Sequence, residues 1–115
     1  MSRRQQQNAY VYILAEIIGS DSDGLPVVST DLKIGIASNV SGRTSTLQTG
    51  NPRELVLVGC SGFLSREAAL RAETQVHRAL SEKRVLGEWF TIGSEEAARL
   101  VDAAAAGRPL LRLVK

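Results

Sequence analysis

Leu70-Arg71-Ala72-Glu73-Thr74-Gln75-Val76-His77-Arg78-Ala79-Leu80 carries two signals at once. At ~100° per residue, Ala69, Ala72, Val76 and Leu80 gather on one stripe, the apolar face of a helix. Glu67, Arg71, Arg78 and Glu82 gather on the opposite, solvated side. Glu73 breaks the pattern. It falls within roughly 20–40° of Ala69 and Leu80, at the edge of the apolar stripe. His77 stands one turn further on, so its side chain lies beside that of Glu73. A carboxylate turned towards a core is costly unless a cation, an arginine or a bound metal pairs with it. On helical spacing alone, the plainer explanation is a boundary acid that reaches water beside an ordinary histidine. The rest of the chain has to decide.

Upstream, Tyr10-Val11-Tyr12-Ile13-Leu14-Ala15-Glu16-Ile17-Ile18 is rich in β-branched and aromatic residues and predicts a strand. Tyr10 and Tyr12 share one face, Val11 and Ile13 the other. The turn residues 19–24 and Pro26 lead to a second strand, at most residues 27–37, with Ile34 and Ile36 facing one way and Lys33 and Gly35 the other. Adjacent in sequence, the two strands should pair antiparallel. Ser38 or Asn39 can cap a short helix to about Gln48. Val40 and Leu47 form its apolar edge, and Arg43 points between them towards the body of the domain. Residues 54–60 form a nearly continuous apolar strand, which suggests the centre or a well-covered part of the sheet.

Downstream, Ser65 caps the long helix, which should end near residues 82–84. Gly87-Glu88-Trp89-Phe90-Thr91-Ile92 reads as a turn with a short strand or an anchoring loop, its Trp89 and Phe90 in the core and Glu88 a structural turn residue in preference to a second acid for the site. Ser94 caps a last, alanine-rich helix that ends at Gly107 and Pro109. Residues 110–114 are a docked tail or an edge strand. The fold class is α+β: a small, three-stranded, mainly antiparallel sheet flanked by about three helices.

With 115 residues, 43% of them hydrophobic, the chain can bury one core. We expect a disordered lead-in over residues 1–8 and a single domain over residues 9–115. One cysteine, Cys60, allows no internal disulfide and suits a reducing, cytoplasmic setting. With one histidine it makes no structural zinc site. No apolar run approaches a membrane span, and the N-terminus lacks a signal peptide's apolar segment. The formal charge of +2 permits a polyanionic partner without demanding one.

Lys33-Ile34-Gly35, Leu47-Gln48-Thr49-Gly50-Asn51-Pro52, Ala72-Glu73, His77 and Gly87-Glu88-Trp89-Phe90 follow Tyr10-Val11-Tyr12 in order. Together they resemble the GIY-YIG nuclease superfamily, most closely its branch with K-I-G in place of Y-I-G, over residues 10–92. The resemblance implies catalytic roles for Tyr12, Lys33, Arg43 and Glu73. Glu73 would hold one divalent metal, Mg²⁺ or Mn²⁺. A single carboxylate suits Mg²⁺, which keeps several waters. Arg43 would grip the scissile phosphate through its guanidinium fork, and Tyr12 would orient or help deprotonate the attacking water. Two departures stand out. Lys33 replaces a tyrosine and serves as a base only if its pKa is pulled down; otherwise it is a phosphate-binding cation. Tyr10 replaces the first motif's glycine. His77 lies outside the superfamily's minimum set but titrates near neutrality, which makes it a candidate proton carrier.

The expectation is a metal-dependent DNA endonuclease, RNA being an open alternative substrate, with no membrane partner and a monomer assumed. Two other classes compete: the same fold kept as a nucleic-acid-binding module without cleavage, and an interaction protein whose cleft binds no nucleic acid. Tyr12, Lys33, Arg43 and Glu73 taken singly would be a sheet residue, an edge charge, a surface ion pair and a boundary acid. Arg66, Arg71, Arg78, Lys83 and Arg84 suit backbone contacts, although acids balance most of that charge.

Overall fold

The β-branched opening run forms β1, Ala9–Ser20, in a computed structural model that describes residues 7–110. It turns back through residues 21–25, where Asp21 Oδ1 accepts from the amides of Asp23 and Leu25. Gly24 adopts φ +81° in that turn, a conformation that a Cβ disfavours. The chain returns as β2, Pro26–Ala37, antiparallel to β1 with Tyr12 opposite Gly35 and Leu14 opposite Lys33. Tyr12 and Lys33 therefore project from the same side of the sheet.

Asn39 caps α1, Val40–Thr49, its side chain accepting from Gly42 N–H at 3.0 Å. β3, Leu55–Phe63, pairs with the free side of β1. Ser65 caps α2, Arg66–Ala79, by accepting from Ala68 N–H at 3.1 Å, a contact worth about 1 kcal/mol. Two three-residue strands follow, β4 (Arg84–Leu86) and β5 (Trp89–Thr91), joined through Gly87 at φ +56°. α3, Ser94–Ala105, closes the described structure.

Every strand pairing is antiparallel, and the sheet order is β3-β1-β2-β5-β4. The class is α+β, as the sequence implies, with five strands instead of three. α2 and α3 cover one face, where Val11, Ile13, Leu32 and Ile34 meet Ala72, Val76, Ala97 and Val101. Burying an aliphatic side chain such as Val76 is worth about 1.5–3 kcal/mol. On the other face Val40 and Leu47 of α1, with Trp89, pack on Tyr12, Leu14, Ala37 and Leu55.

Four local expectations need correction. β3, despite its apolar run, is an edge strand; one face is covered by α3 and the core, while Leu57 stays exposed. α2 ends at Ala79, because Leu80 turns fully into the core and residues 81–83 tighten into a 3₁₀ turn. α3 starts from Gly93, and Ser94 is its first helical residue. Asn8 is already tied down, with hydrogen bonds to the carbonyls of Phe63 and Leu64. The rest of the expected lead-in up to residue 6, and the tail beyond residue 110, lie outside the described residues. Among those described, no helix is long and apolar enough to cross a membrane.

Candidate functional site

β5 pairs with β2 only as far as Lys33, opposite Trp89. One more ladder bond, from the Ile34 amide to the Glu88 carbonyl at 3.1 Å, ties the β4–β5 turn to this edge. The Ile34 carbonyl accepts from His77 Nε2 at 2.8 Å. A carbonyl can only accept, so Nε2 carries the proton and Nδ1 keeps its lone pair. Both edge groups of one β2 residue thus anchor different parts of the chain, α2 and the Glu88 turn, and bring their acids together. The ligand atoms of Glu73, His77 and Glu88 all lie within 4.8 Å of one another.

Beside this cluster opens a cleft of about 600 Å³ lined by Tyr12, Arg43, Arg66, Glu73 and Glu88, with Ala37, Asn39 and Gly42 at its α1 side. Tyr12 reaches the cleft across Gly35. A Cβ at Gly35 would stand 2.7 Å from the phenol Cζ, would collide with the hydroxyl, and would lie 3.2 Å from Glu88 Oε1. The missing side chain lets phenol and carboxylate converge there. Burial raises the Tyr12 pKa, and the Arg43 guanidinium against the oxygen pulls it only partly back. At neutral pH the phenol keeps its proton.

Glu73 is only 8% exposed, and among the described residues it is the one buried charged side chain. Its Oε2 is sealed from solvent and has no hydrogen-bond partner among the described residues. Burial, with the Glu88 carboxylate beside it, pushes its pKa up to about 7. His77 moves the other way: burial lowers its pKa, despite the bond to Ile34. It packs on Phe90 with ring centroids 4.9 Å apart. An orphaned carboxylate oxygen flanked by a second acid and an imidazole is a donor set that fits a divalent cation.

The residues singled out from the sequence do not all occupy the same place. Tyr12, Arg43 and Glu73 share the cleft wall. His77 sits behind Glu73, held to the backbone. Lys33 lies on the same side of the sheet as Tyr12 but is withdrawn, its Nζ 3.2 Å from Glu88 Oε1 and 5.8 Å from the Trp89 ring centroid. Glu88, read as a turn residue in preference to a second acid for the site, sends its carboxylate into the site. Arg66, expected only as one of several helix cations, stands at the cleft and, with Lys33, draws the Glu73 pKa down against burial and Glu88. Sequence reading had one signal for Glu88, an acid between a turn glycine and a core aromatic, and none for Arg66 beyond its charge.

No curated protein and no solved structure matches the chain. A family model does, that of the T5orf172 domain, over residues 9–105. This corrects the assignment to the GIY-YIG superfamily made from the motifs. Those motifs are runs of two to six residues on short elements, whereas the matching model spans nearly the whole described domain. From that span, we place the chain in the T5orf172 domain family, to which it belongs.

Proposed function

We propose that this domain hydrolyses phosphodiester bonds in nucleic acid with the help of a divalent metal, as a DNA endonuclease. The observation that carries this reading is the buried Glu73 Oε2 without a partner, on a residue that lines a cleft with Tyr12, Arg43 and Arg66. A fold with no use for a cation would gain by replacing that acid with an apolar residue.

The chain's own residues divide the work by chemistry. Arg43 and Arg66 offer planar guanidinium forks that match phosphate oxygens. Tyr12, protonated at neutral pH, positions a water by hydrogen bonding and does not serve as the base. His77, neutral at the same pH, has a free Nδ1 lone pair able to take a proton. Lys33 offsets Glu88 and remains a cation near the phosphate site. Glu73 would hold Mg²⁺ or Mn²⁺, and that ion would supply neutralisation of charge developing on the phosphate and leaving oxygens. A reducing, cytoplasmic setting suits the single cysteine.

The test is incubation of the purified protein with plasmid, single-stranded and branched DNA, and with RNA, in Mg²⁺, in Mn²⁺ and in chelator. Strand cleavage that requires metal and disappears in Glu73→Gln supports the proposal. Binding without cleavage in every metal would leave a nucleic-acid-binding module instead.

A further inference from the structure

Glu73 does not stand alone at its end of the cleft. Its orphaned oxygen belongs to a side chain more than nine-tenths buried. Two other donors lie within 4.8 Å, one from His77 and one from Glu88. Ligands held about 2.0–2.2 Å from a common ion lie roughly 3–3.5 Å apart, so modest side-chain rotation gathers these three around one cation. The His77 arrangement is that of a metal ligand's outer support. Its Nε2–H is pinned to the Ile34 carbonyl at 2.8 Å, which fixes the tautomer and leaves Nδ1 as the donor. Glu88 is fixed in turn by its backbone bond to the same residue.

Charge agrees with the geometry. The two acids face Lys33 and Arg66 as neutralising partners, and Lys33 reaches Glu88 but leaves Glu73 Oε2 uncovered. One divalent ion between Glu73 and Glu88 would satisfy both carboxylates. Including an imidazole changes which ion is preferred. Mg²⁺ takes oxygen ligands and keeps its waters, whereas a nitrogen donor shifts preference to the first-row transition metals.

From this we infer that Glu73, His77 and Glu88 form a three-ligand site for a divalent transition metal, selective for it over Mg²⁺. The inference rests on the metal-dependent reading of the same cleft and names its full donor set, assigning the His77 Nδ1 lone pair to the ion in place of proton transfer.

The experiment uses the whole protein without nucleic acid, titrated with Mn²⁺ and with Mg²⁺ by calorimetry, and the Mn²⁺ form examined by electron spin-echo spectroscopy. We expect Mn²⁺ to bind roughly 10–100-fold tighter than Mg²⁺, with nitrogen modulation from a directly bound imidazole. Glu88→Gln should weaken Mn²⁺ at least about tenfold, and His77→Gln should abolish the nitrogen signal, circular dichroism checking each variant's fold. If His77→Gln fails to fold, the wild-type nitrogen modulation decides by itself. Mn²⁺ bound through Glu73 with no nitrogen coupling and no loss in Glu88→Gln would overturn the three-ligand site and leave the single-acid reading. Mn²⁺ bound equally well by Glu73→Gln would overturn both. Three-ligand binding in a protein that cuts no nucleic acid would support this inference and defeat the nuclease.

Discussion

His77 Nε2 lies 2.8 Å from the carbonyl oxygen of Ile34, and this bond ties the helix that carries Glu73 to the middle strand of the sheet. The Ile34 amide simultaneously donates to the Glu88 carbonyl. A single residue therefore sets the separation of the two acids. His77→Ala should do more than remove an imidazole: it leaves a buried carbonyl unsatisfied, at a cost of about 1–3 kcal/mol. Urea unfolding of His77→Ala against His77→Gln, whose amide can still donate, separates the two contributions. Equal stability of the wild type and His77→Ala would show that the bond does not hold α2.

Glu73 binds its proton more tightly in the fold than its ordinary value of 4.5 would allow, up to about 7. Between those values the folded protein holds more protons than the unfolded chain, so stability falls as pH rises through the window. The loss is at most about 3 kcal/mol and is complete above the folded pKa. Unfolding midpoints from about pH 5 to about pH 8 in chelator should decline in wild type more than in Glu73→Gln. Saturating divalent metal should remove the difference by favouring the ionised acid. Parallel pH profiles for the two proteins would contradict this account.

Gly35→Ala should displace the Tyr12 hydroxyl, which the added Cβ would overlap. Overpacking of this kind costs about 1–3 kcal/mol. Tyr12→Phe in the same chain removes the hydroxyl from the clash and should recover part of the loss, so a double-mutant cycle should show clear coupling. Additive effects would mean that ring and Gly35 do not meet.

Lys33 faces two roles that kinetics can tell apart. As the partner of Glu88, it takes no part in proton transfer, and Lys33→Met should slow cleavage without shifting the pH at which activity levels off. The same change removes a cation beside the acids and should tighten metal binding roughly 3–10-fold. If Lys33 were the general base, its loss would abolish the chemical step while His77→Ala spared it.

Binding to nucleic acid should be weak, with a shallow dependence on salt. The formal charge is +2, and Lys33 is already paired, so few phosphates can be neutralised. Fluorescence anisotropy across a salt series checks the slope. Tight sequence-specific binding by the isolated chain at physiological salt would reveal a reading element elsewhere.

What could be read without a structure was local. Helical angle alone put Glu73 at the margin of α2, because the direction of a side chain on a helix depends only on its position along the repeat. The caps at Ser65 and at one of Ser38 and Asn39 followed from side chains that reach amides three residues ahead, and the structure chose Asn39. The antiparallel pairing of β1 with β2 followed from two adjacent strands with one turn between them, while the register that sets Tyr12 opposite Gly35 came from the structure. Short motifs did not identify the family, because runs of two to six residues sample too little of the chain; the match over residues 9–105 did. Tertiary structure alone decided the rest. Three-residue strands carry no alternation to read, so β5 joined the sheet only through its pairing with β2, and β4 through β5. The apolar run of β3 could not distinguish a centre from an edge, since partners far along the chain set strand order. Glu88 enters the site beside its partner Lys33, because Ile34 has both backbone groups on an edge that two distant segments reach. Such non-local hydrogen bonding has no period in the sequence, and it is what places Glu73, His77 and Glu88 side by side.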